Sequence, residues 1–395
     1  MLRLAIANLT QRKLRSSLSI LAVAIAITLL LVLVGLSQGT LNEVSGRMQS
    51  VQAEIVVGDR HFDLASYSGG KLWEKEISRL EEIRIGSVRA VERVMPVFMS
   101  RMKLGGLSQN VFGVRPDDFS YFSGSRRLLA GEVFDDVGSS EQAWEKFDNA
   151  PESAQRPVVY LPLIIDERLS KAAGLKVGDS AGFGDVPARI VAVVETGVAG
   201  RVFAPINLLR AANGIAAPTA HLFFVKANPA LDTEQLQQLC EVIEEKTRHT
   251  ATLVANYHQV LAENFRNLTI FITLVSIIAL VIGFLFILVT IYTMVLERSK
   301  EIAILRSLGA SRAHILAQTV QEALLICAAG TILGCLMAYG VRYLIETIQP
   351  LMTVEIRVFW LLLAAGVGLL GGLLSAIYPG YIAFKHDPIE ALSFE

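Results

Sequence analysis

Four apolar stretches divide the chain: Leu18–Leu36, residues 268–296, Ala323–Val341 and Val358–Phe384, none of which contains a charged side chain. About 20 apolar residues suffice for a helix to cross the hydrocarbon core of a bilayer, so the pattern predicts transmembrane helices over 16–37, 268–296, 315–345 and 358–384. A cleavable signal peptide would have a shorter apolar core, roughly 7 to 15 residues, with a small-residue cleavage site after it. The first stretch is therefore read as an uncleaved span. Between the first two spans the pattern changes to mixed polar and apolar positions, with most of the prolines and two of the three tryptophans. This segment, 38–267, is predicted to be a mixed α/β domain outside the membrane. Short strands are expected over Glu54–Val57, Val111–Val114, Pro157–Pro162 and Arg189–Val194, with turn residues in Gly174–Asp179. Helical spacing predicts helices over Leu72–Ile83 and Leu231–Arg248, the latter begun at Asp232 or Thr233. The flanks 38–50 and 257–268 read as helical extensions of the adjoining spans, forming a stalk.

Composition turns this pattern into a class. The chain is 52% hydrophobic with a mean hydropathy of +0.48, and the excess lies in the four stretches, which defines an α-helical integral membrane protein. Basic residues give the topology. Arg3, Arg12, Lys13 and Arg15 precede the first span, and Arg298, Lys300, Arg306 and Arg312 lie between the second and third. The positive-inside rule puts both groups, and hence both termini, in the cytosol. Residues 1–15 then form an amphipathic helix on the inner face, 346–357 a short external loop and 385–395 a cytosolic tail. The domain 38–267 is extracytoplasmic, and periplasmic in a cell with two membranes. A net charge of −1 gives no reason to expect nucleic acid, which demands a positive surplus. Of three cysteines only Cys240 lies in the polar region, so no disulfide forms there.

The cytosolic segment 297–314, ERSKEIAILRSLGASRAH, is the most informative. Ile302, Leu305 and Leu308 share a helical face, Gly309 is placed to end the helix, and Ser311 to cap the next. On pattern alone it is an interfacial helix. Its residues Glu297-Arg298, then Glu301-Ile302-Ala303-Ile304-Leu305-Arg306-Ser307-Leu308-Gly309-Ala310, closely resemble the cytosolic loop of MacB/FtsX-type (LolC/MacB-like) ABC transporter permeases. Asn8-Leu9 with Arg12–Leu18, and the tail Asp387-Pro388-Ile389-Glu390-Ala391-Leu392, resemble the two ends of the same family, with Gly380 standing where alanine is frequent. The resemblance implies that the loop is a coupling helix docking on a separate ATP-binding subunit. Glu297, Arg298, Glu301 and Arg306 would make its polar contacts, while Ile302, Leu305 and Leu308, closed by Gly309, fill a groove. It also implies that 38–267 resembles a MacB-like porter-type periplasmic domain.

Little in the sequence suggests chemistry. The only Gly-Lys pair, Gly70-Lys71, is followed by leucine, so the Gly-Lys-Ser/Thr phosphate loop is absent. Gly35-Leu36-Ser37-Gln38-Gly39 fits G-x-S-x-G, but the serine ends a membrane helix, where the strand–turn–helix of a nucleophile elbow has no place. The six histidines show no metal-ligand spacing, and the Asp117-Asp118 and Asp135-Asp136 turns read as solvated loops before calcium sites. Within the spans, Gly330, Gly334 and Ala338, and Ala364, Gly368 and Gly372, repeat small residues every four positions, the pattern for close helix packing within one subunit or between two. Glu322 is expected to snorkel or pair near the headgroups, and Arg342 and Glu346 to pair at i and i+4.

The expected protein is thus a permease subunit, not an enzyme. It would bind no cofactor itself, with ATP and Mg on its partner. Family membership implies two ATP-binding subunits and a second permease copy, as a homodimer or heterodimer, in the bacterial inner membrane, with a periplasmic adaptor or carrier as a further partner. Two functions are open: export or extraction of hydrophobic, peptide-like or lipid-linked cargo by mechanotransmission, and FtsX-like signalling to a cell-wall hydrolase or sensor without transport.

Overall fold

The computed structural model describes residues 13–60, 70–133, 160–183, 186–297, 304 and 311–385. They fall into two units, one of Met1–Thr40 with Arg266–Glu395, the other Leu41–Phe265. Helix α1, Lys13–Gln49, supplies the first residues of both. It is unbroken because its one interior Pro/Gly-type hazard is glycine, tolerated at Gly35, Gly39 and Gly46, and no proline falls within it.

The 41–265 unit is built on a ten-stranded sheet. Its strands are β1 Ile55–Gly58, β5 Val91–Leu104, β6 Leu107–Val114, β7 Leu128–Gly131, β8 Leu161–Asp166, β9 Ser180–Phe183, β10 Val186–Val194, β11 Val202–Pro205, β13 Leu222–Ala227 and β14 Thr250–Leu253. Two-residue strands make two small pairs, β2 (Leu72–Trp73) with β12 (Thr219–Ala220) and β3 (Arg84–Ile85) with β4 (Val88–Arg89). The order in the large sheet is β14-β1-β13-β5-β6-β11-β8-β10-β7, with β9 against β10. Most pairs are antiparallel, whereas β6/β11 and β8/β10 are parallel.

The fourteen-residue β5 organises this sheet. Its first half pairs with β13, Val97 opposite Leu222, and its second half with β6, Phe98 opposite Gly113. One strand thereby belongs to two layers of core. Alternation sorts the side chains: Ile55, Val57, Phe223 and Val225 enter one cluster, while Val56 and Phe224 enter the other, as a period of two requires. The first cluster is covered by helix α2, Ile77–Glu81, and by α6, Thr233–Thr247. The second gathers Phe112, Phe119, Phe122 and Phe203 with Leu41 and Met48 of α1. The Phe119 and Phe203 rings meet edge-on at 5.3 Å, the favoured aromatic geometry. Remaining helices are α3 Phe119–Ser123, α4 Glu167–Ala173, α5 Ile206–Ala212 and α7 Tyr257–Asn264.

Local signals account for the element ends. Asp232 starts α6 through a capping box: its carboxylate accepts from the Gln235 amide at 2.8 Å, and the Gln235 side chain accepts from the Asp232 amide at 3.1 Å. Gly174 ends α4 in the left-handed conformation at φ 67°. The expected helix over Leu72–Ile83 needs correction. Leu72–Trp73 is a strand, a 3-10 turn covers Glu74–Glu76, and α-helix is confined to Ile77–Glu81. The apolar positions Leu72, Ile77, Leu80 and Ile83 are all buried, but Leu72 is buried by pairing with Ala220, so the five-residue step after it carries the change of element.

Among the described residues four helices are long and apolar enough to cross a membrane, and they make up the other unit: α1, α8 (Arg266–Glu297), α9 (Arg312–Ile348) and α10 (Val358–Lys385). Their shared core includes Val23, Ile27, Leu31, Ile287, Ile291, Ala323, Cys327 and Ala364. Leu268, Phe271, Ile278 and Phe286 of α8 are exposed, as suits a face turned to lipid. The expected spans lie inside these helices. Residues 1–12, 134–159 and 386–395, which include Asp135-Asp136, Trp144 and the Asp-Pro-x-Glu-Ala-Leu tail, lie outside the described residues.

Candidate functional site

The expected coupling residues Arg298, Glu301, Ile302, Leu305, Arg306, Leu308 and Gly309 lie outside the described residues. What frames them is described. Glu297 ends α8 and pairs with Arg15 near the start of α1, so the charged segment before the first span and the start of the loop meet at one end of the helical unit. Ile304, within the loop, is half exposed.

The small residues of the spans are filled from within the chain. A Cβ at Gly330 would meet Val23 Cβ at 2.7 Å, and one at Gly334 would meet the Ala24 carbonyl oxygen at 2.8 Å. Thr28 of α1 also donates to the Gly334 carbonyl at 3.0 Å. Gly368 faces Thr331 and Gly372 faces Cys327; Ala338 and Ala364 are fully buried. These contacts join α9 to α1 and α10 to α9. Ser19 and Thr290 share a hydrogen bond of 2.5 Å, a polar clasp between α1 and α8. Glu322, expected to snorkel or pair, is only 6 % exposed and lies buried in the helical unit. Arg342 donates to Glu346 at 2.9 Å as the spacing predicts.

The G-x-S-x-G stretch has a packing role. Gly35 and Gly39 lie one turn apart on α1, and residues 353–355, between α9 and α10, lie on them. The Glu355 amide donates to the Gly35 carbonyl at 2.9 Å, and a Cβ at Gly39 would overlap the Thr353 carbonyl oxygen. The glycines admit a backbone strap, and Ser37 is an ordinary helix residue.

In the 41–265 unit the charged groups are organised around two buried acids that spacing did not reveal. Asp166, fully buried, caps α4 by accepting from the Leu169 amide at 2.8 Å and pairs with Arg47 at 3.1 Å. Arg47 also pairs with Glu43 at 3.0 Å, and Glu43 in turn meets Arg201 at 2.6 Å and Arg168 at 3.4 Å. Burial, with Arg47 beside it, pulls the Arg201 guanidinium below its ordinary value against the opposing effect of Glu43 and Asp166. The other buried acid is Asp118, expected in a solvated turn. It is fully buried and bonded to Arg93 at 2.6 Å; burial pushes its carboxyl up, outweighing the charge of Arg93. Among the described residues no cluster has the composition and geometry of a metal site.

Further along, Glu74 is held by Arg115 at 2.8 Å and by Arg210. Burial alone would raise its carboxyl, but the two guanidiniums hold it below the usual range. His221 accepts from the Met99 amide at 2.9 Å through Nδ1; burial, Lys71 and Arg210 lower its pKa to about 4. It is a neutral, half-buried acceptor.

The arrangement defines a four-helix membrane protein carrying a large mixed α/β domain between its first and second spans, with no catalytic constellation among the described residues. The MacB-like periplasmic core domain family model matches residues 16–241 and the FtsX-like permease C-terminal model matches 273–388. The chain belongs to the MacB/FtsX-type ABC permease family. It is 25% identical over 278 residues to the macrolide export ATP-binding/permease protein MacB of Escherichia coli K12, covering 68% of this chain and 43% of that protein. It is 30% identical over 139 residues to the MacB protein of Agrobacterium fabrum, covering 35% and 22%. The chain thus spans less than half the length of these curated relatives, and the family models matching it are permease domains. Among solved structures, the periplasmic region of MacB from Actinobacillus actinomycetemcomitans is 14% identical with a TM-score of 0.38, covering 54% of this chain and 95% of that one. The extracellular domain of the noncanonic ABC-type transporter YknZ is 13% identical with a TM-score of 0.32, covering 51% and 98%.

Proposed function

We propose that this chain is the membrane subunit of an ABC system in the bacterial inner membrane. Two ATP-binding subunits, holding ATP and Mg, drive it through the loop 297–314, and it works beside a second permease copy. Both termini are cytosolic and the 41–265 unit is periplasmic. The observation that carries the reading is family membership joined to α1, one unbroken helix whose residues serve the membrane unit up to Thr40 and the α/β unit from Leu41. A stiff element of that kind transmits displacement, since bending a helix without proline or a bulge is resisted along its whole hydrogen-bond ladder. The spans are too apolar to line a hydrophilic path, so the work done is mechanical. The cargo is hydrophobic, peptide-like or lipid-linked, handled outside with an adaptor or carrier.

The test is Glu301→Arg in the chain reconstituted with its ATP-binding subunits. The protein should insert normally while ATP turnover becomes uncoupled from cargo movement; unchanged coupling refutes the docking. Labelling of cysteines placed at Lys300 and Asp135 should report opposite sides of the bilayer. ATP turnover that activates a wall hydrolase with no cargo moved would favour the signalling alternative.

A further inference from the structure

The 41–265 unit carries a cleft of about 350 Å³ whose lining is almost wholly polar: Glu81, Glu92, Arg93, Arg115 and Tyr121, with Val94. Each of its two guanidiniums is held by a carboxylate. Arg93 spends its Nε on Asp118, which is fully buried, and lies over the Tyr121 ring, its Cζ 5.5 Å from the centroid. Arg115 spends one terminal nitrogen on Glu74, itself tied to Arg210. The other N–H groups of both forks have no partner among the described residues. The second oxygen of Asp118, buried, also has no hydrogen-bond partner among the described residues.

Guanidinium forks held in place before a ligand arrives are suited to carboxylate or phosphate oxygens, because little side-chain entropy remains to be lost. The rim decides between these. Glu81 is held by Arg89 at 3.7 Å, whereas Glu92 is exposed and without a partner among the described residues. A multiply charged phosphate would be repelled by the two glutamates. A ligand bearing one carboxylate and one ammonium would satisfy both sides. The sparse apolar lining rules out a cleft built for a lipid tail or a large apolar drug, which need mostly hydrophobic walls.

We infer that this cleft binds a short zwitterionic peptide, its carboxylate on Arg93 and Arg115 and its ammonium on Glu92. The volume suits two or three small residues. Binding requires no motor, so it can fail while the proposed coupling stands, and the reverse.

The experiment is calorimetric titration of the full chain in nanodiscs with trialanine, N-acetyl-trialanine, trialanine amide and inorganic phosphate. Trialanine should bind saturably, with each singly blocked form weaker by about tenfold, the loss expected for one charge-assisted contact. Arg115→Gln should weaken trialanine by about tenfold, and Arg115→Lys, which keeps the charge and loses the fork, by less. Glu92→Gln should weaken trialanine but leave N-acetyl-trialanine unchanged; because Glu92 is exposed, this variant folds irrespective of its effect on binding. Absence of saturable trialanine binding, indifference to Glu92→Gln, or phosphate binding more tightly than trialanine would each overturn the assignment.

Discussion

Removing Asp166 tests whether the charged cluster at the end of α1 anchors that helix in the α/β domain. Asp166→Ala deletes two things at once. It strips the cap from α4, a loss of about 1 kcal/mol, and it leaves Arg47 buried with only Glu43 as counter-charge. Breaking a buried pair by removing one member costs about 3–5 kcal/mol. Because Glu43 still stands 3.0 Å from Arg47, the lower part of that range, about 3–4 kcal/mol, applies, and the sum is about 4–5 kcal/mol. The readout is hydrogen exchange by mass spectrometry on the full chain in nanodiscs, following peptides over 41–49 and 161–173. Protection there should fall by about three to four decades if opening of this region governs exchange. Arg47→Met combined with Asp166→Ala should recover part of the loss, since an apolar pair in place of an ionic one is often neutral. A fall below tenfold in the single variant, or a double variant worse than the single one, would refute the anchoring argument.

Further outcomes follow from other contacts. Gly39→Val should drive residues 353–355 off α1, at about 1–3 kcal/mol for overpacking, and speed exchange of the Glu355 amide, while Gly46→Ala, whose Cβ would meet nothing within 4 Å, should stabilise α1 by about 0.5–1 kcal/mol. An unchanged Glu355 amide in Gly39→Val would remove the strap. His221 should titrate near pH 4 by imidazole NMR. Its folded value lies below the ordinary 6.5, so the unfolded chain takes up the proton first. That contribution to stability is full above pH 6.5 and lost as pH falls toward 4; a midpoint near 6.5 would contradict the half-buried acceptor.

What the sequence made legible was periodic and local. Uncharged runs delimit α1, α8, α9 and α10, since nothing but length and apolarity is needed to specify a span, and Asp232 with Gln235 marks the start of α6 because both halves of the cap lie within one turn. The charged clusters were illegible for the complementary reason. Asp166 and Arg201 are brought together by β8 and β11 pairing side by side, Arg47 arrives from α1, and no spacing along the chain encodes that. Asp118 looked like a turn residue beside Asp117 and Pro116. Its burial depends on Arg93, which arrives from β5. Leu72 failed for a subtler reason: an apolar residue fits a helical count and a strand alike, and its partner Ala220 is remote.

The glycines of the spans show how one pattern can bear two meanings that only packing separates. Small residues four apart allow either a second subunit or another helix of the same chain to approach closely. Here Gly330 and Gly334 are met by Val23, Ala24 and Ile27 of α1, and Gly368 and Gly372 by Thr331 and Cys327 of α9. A notch of that size receives one neighbour, since a Cβ at any of the four would lie within 3 Å of the atoms already there. These four positions are therefore spent on holding α1, α9 and α10 together. A second permease copy, as the proposed assembly has it, must then dock without them. The same constraint links the membrane packing to the proposed action: α1 is gripped along one side by the glycines of α9 and near Gly35 and Gly39 by the 353–355 strap, so under that proposal a push delivered at the loop before α9 would reach α1 through close backbone contact.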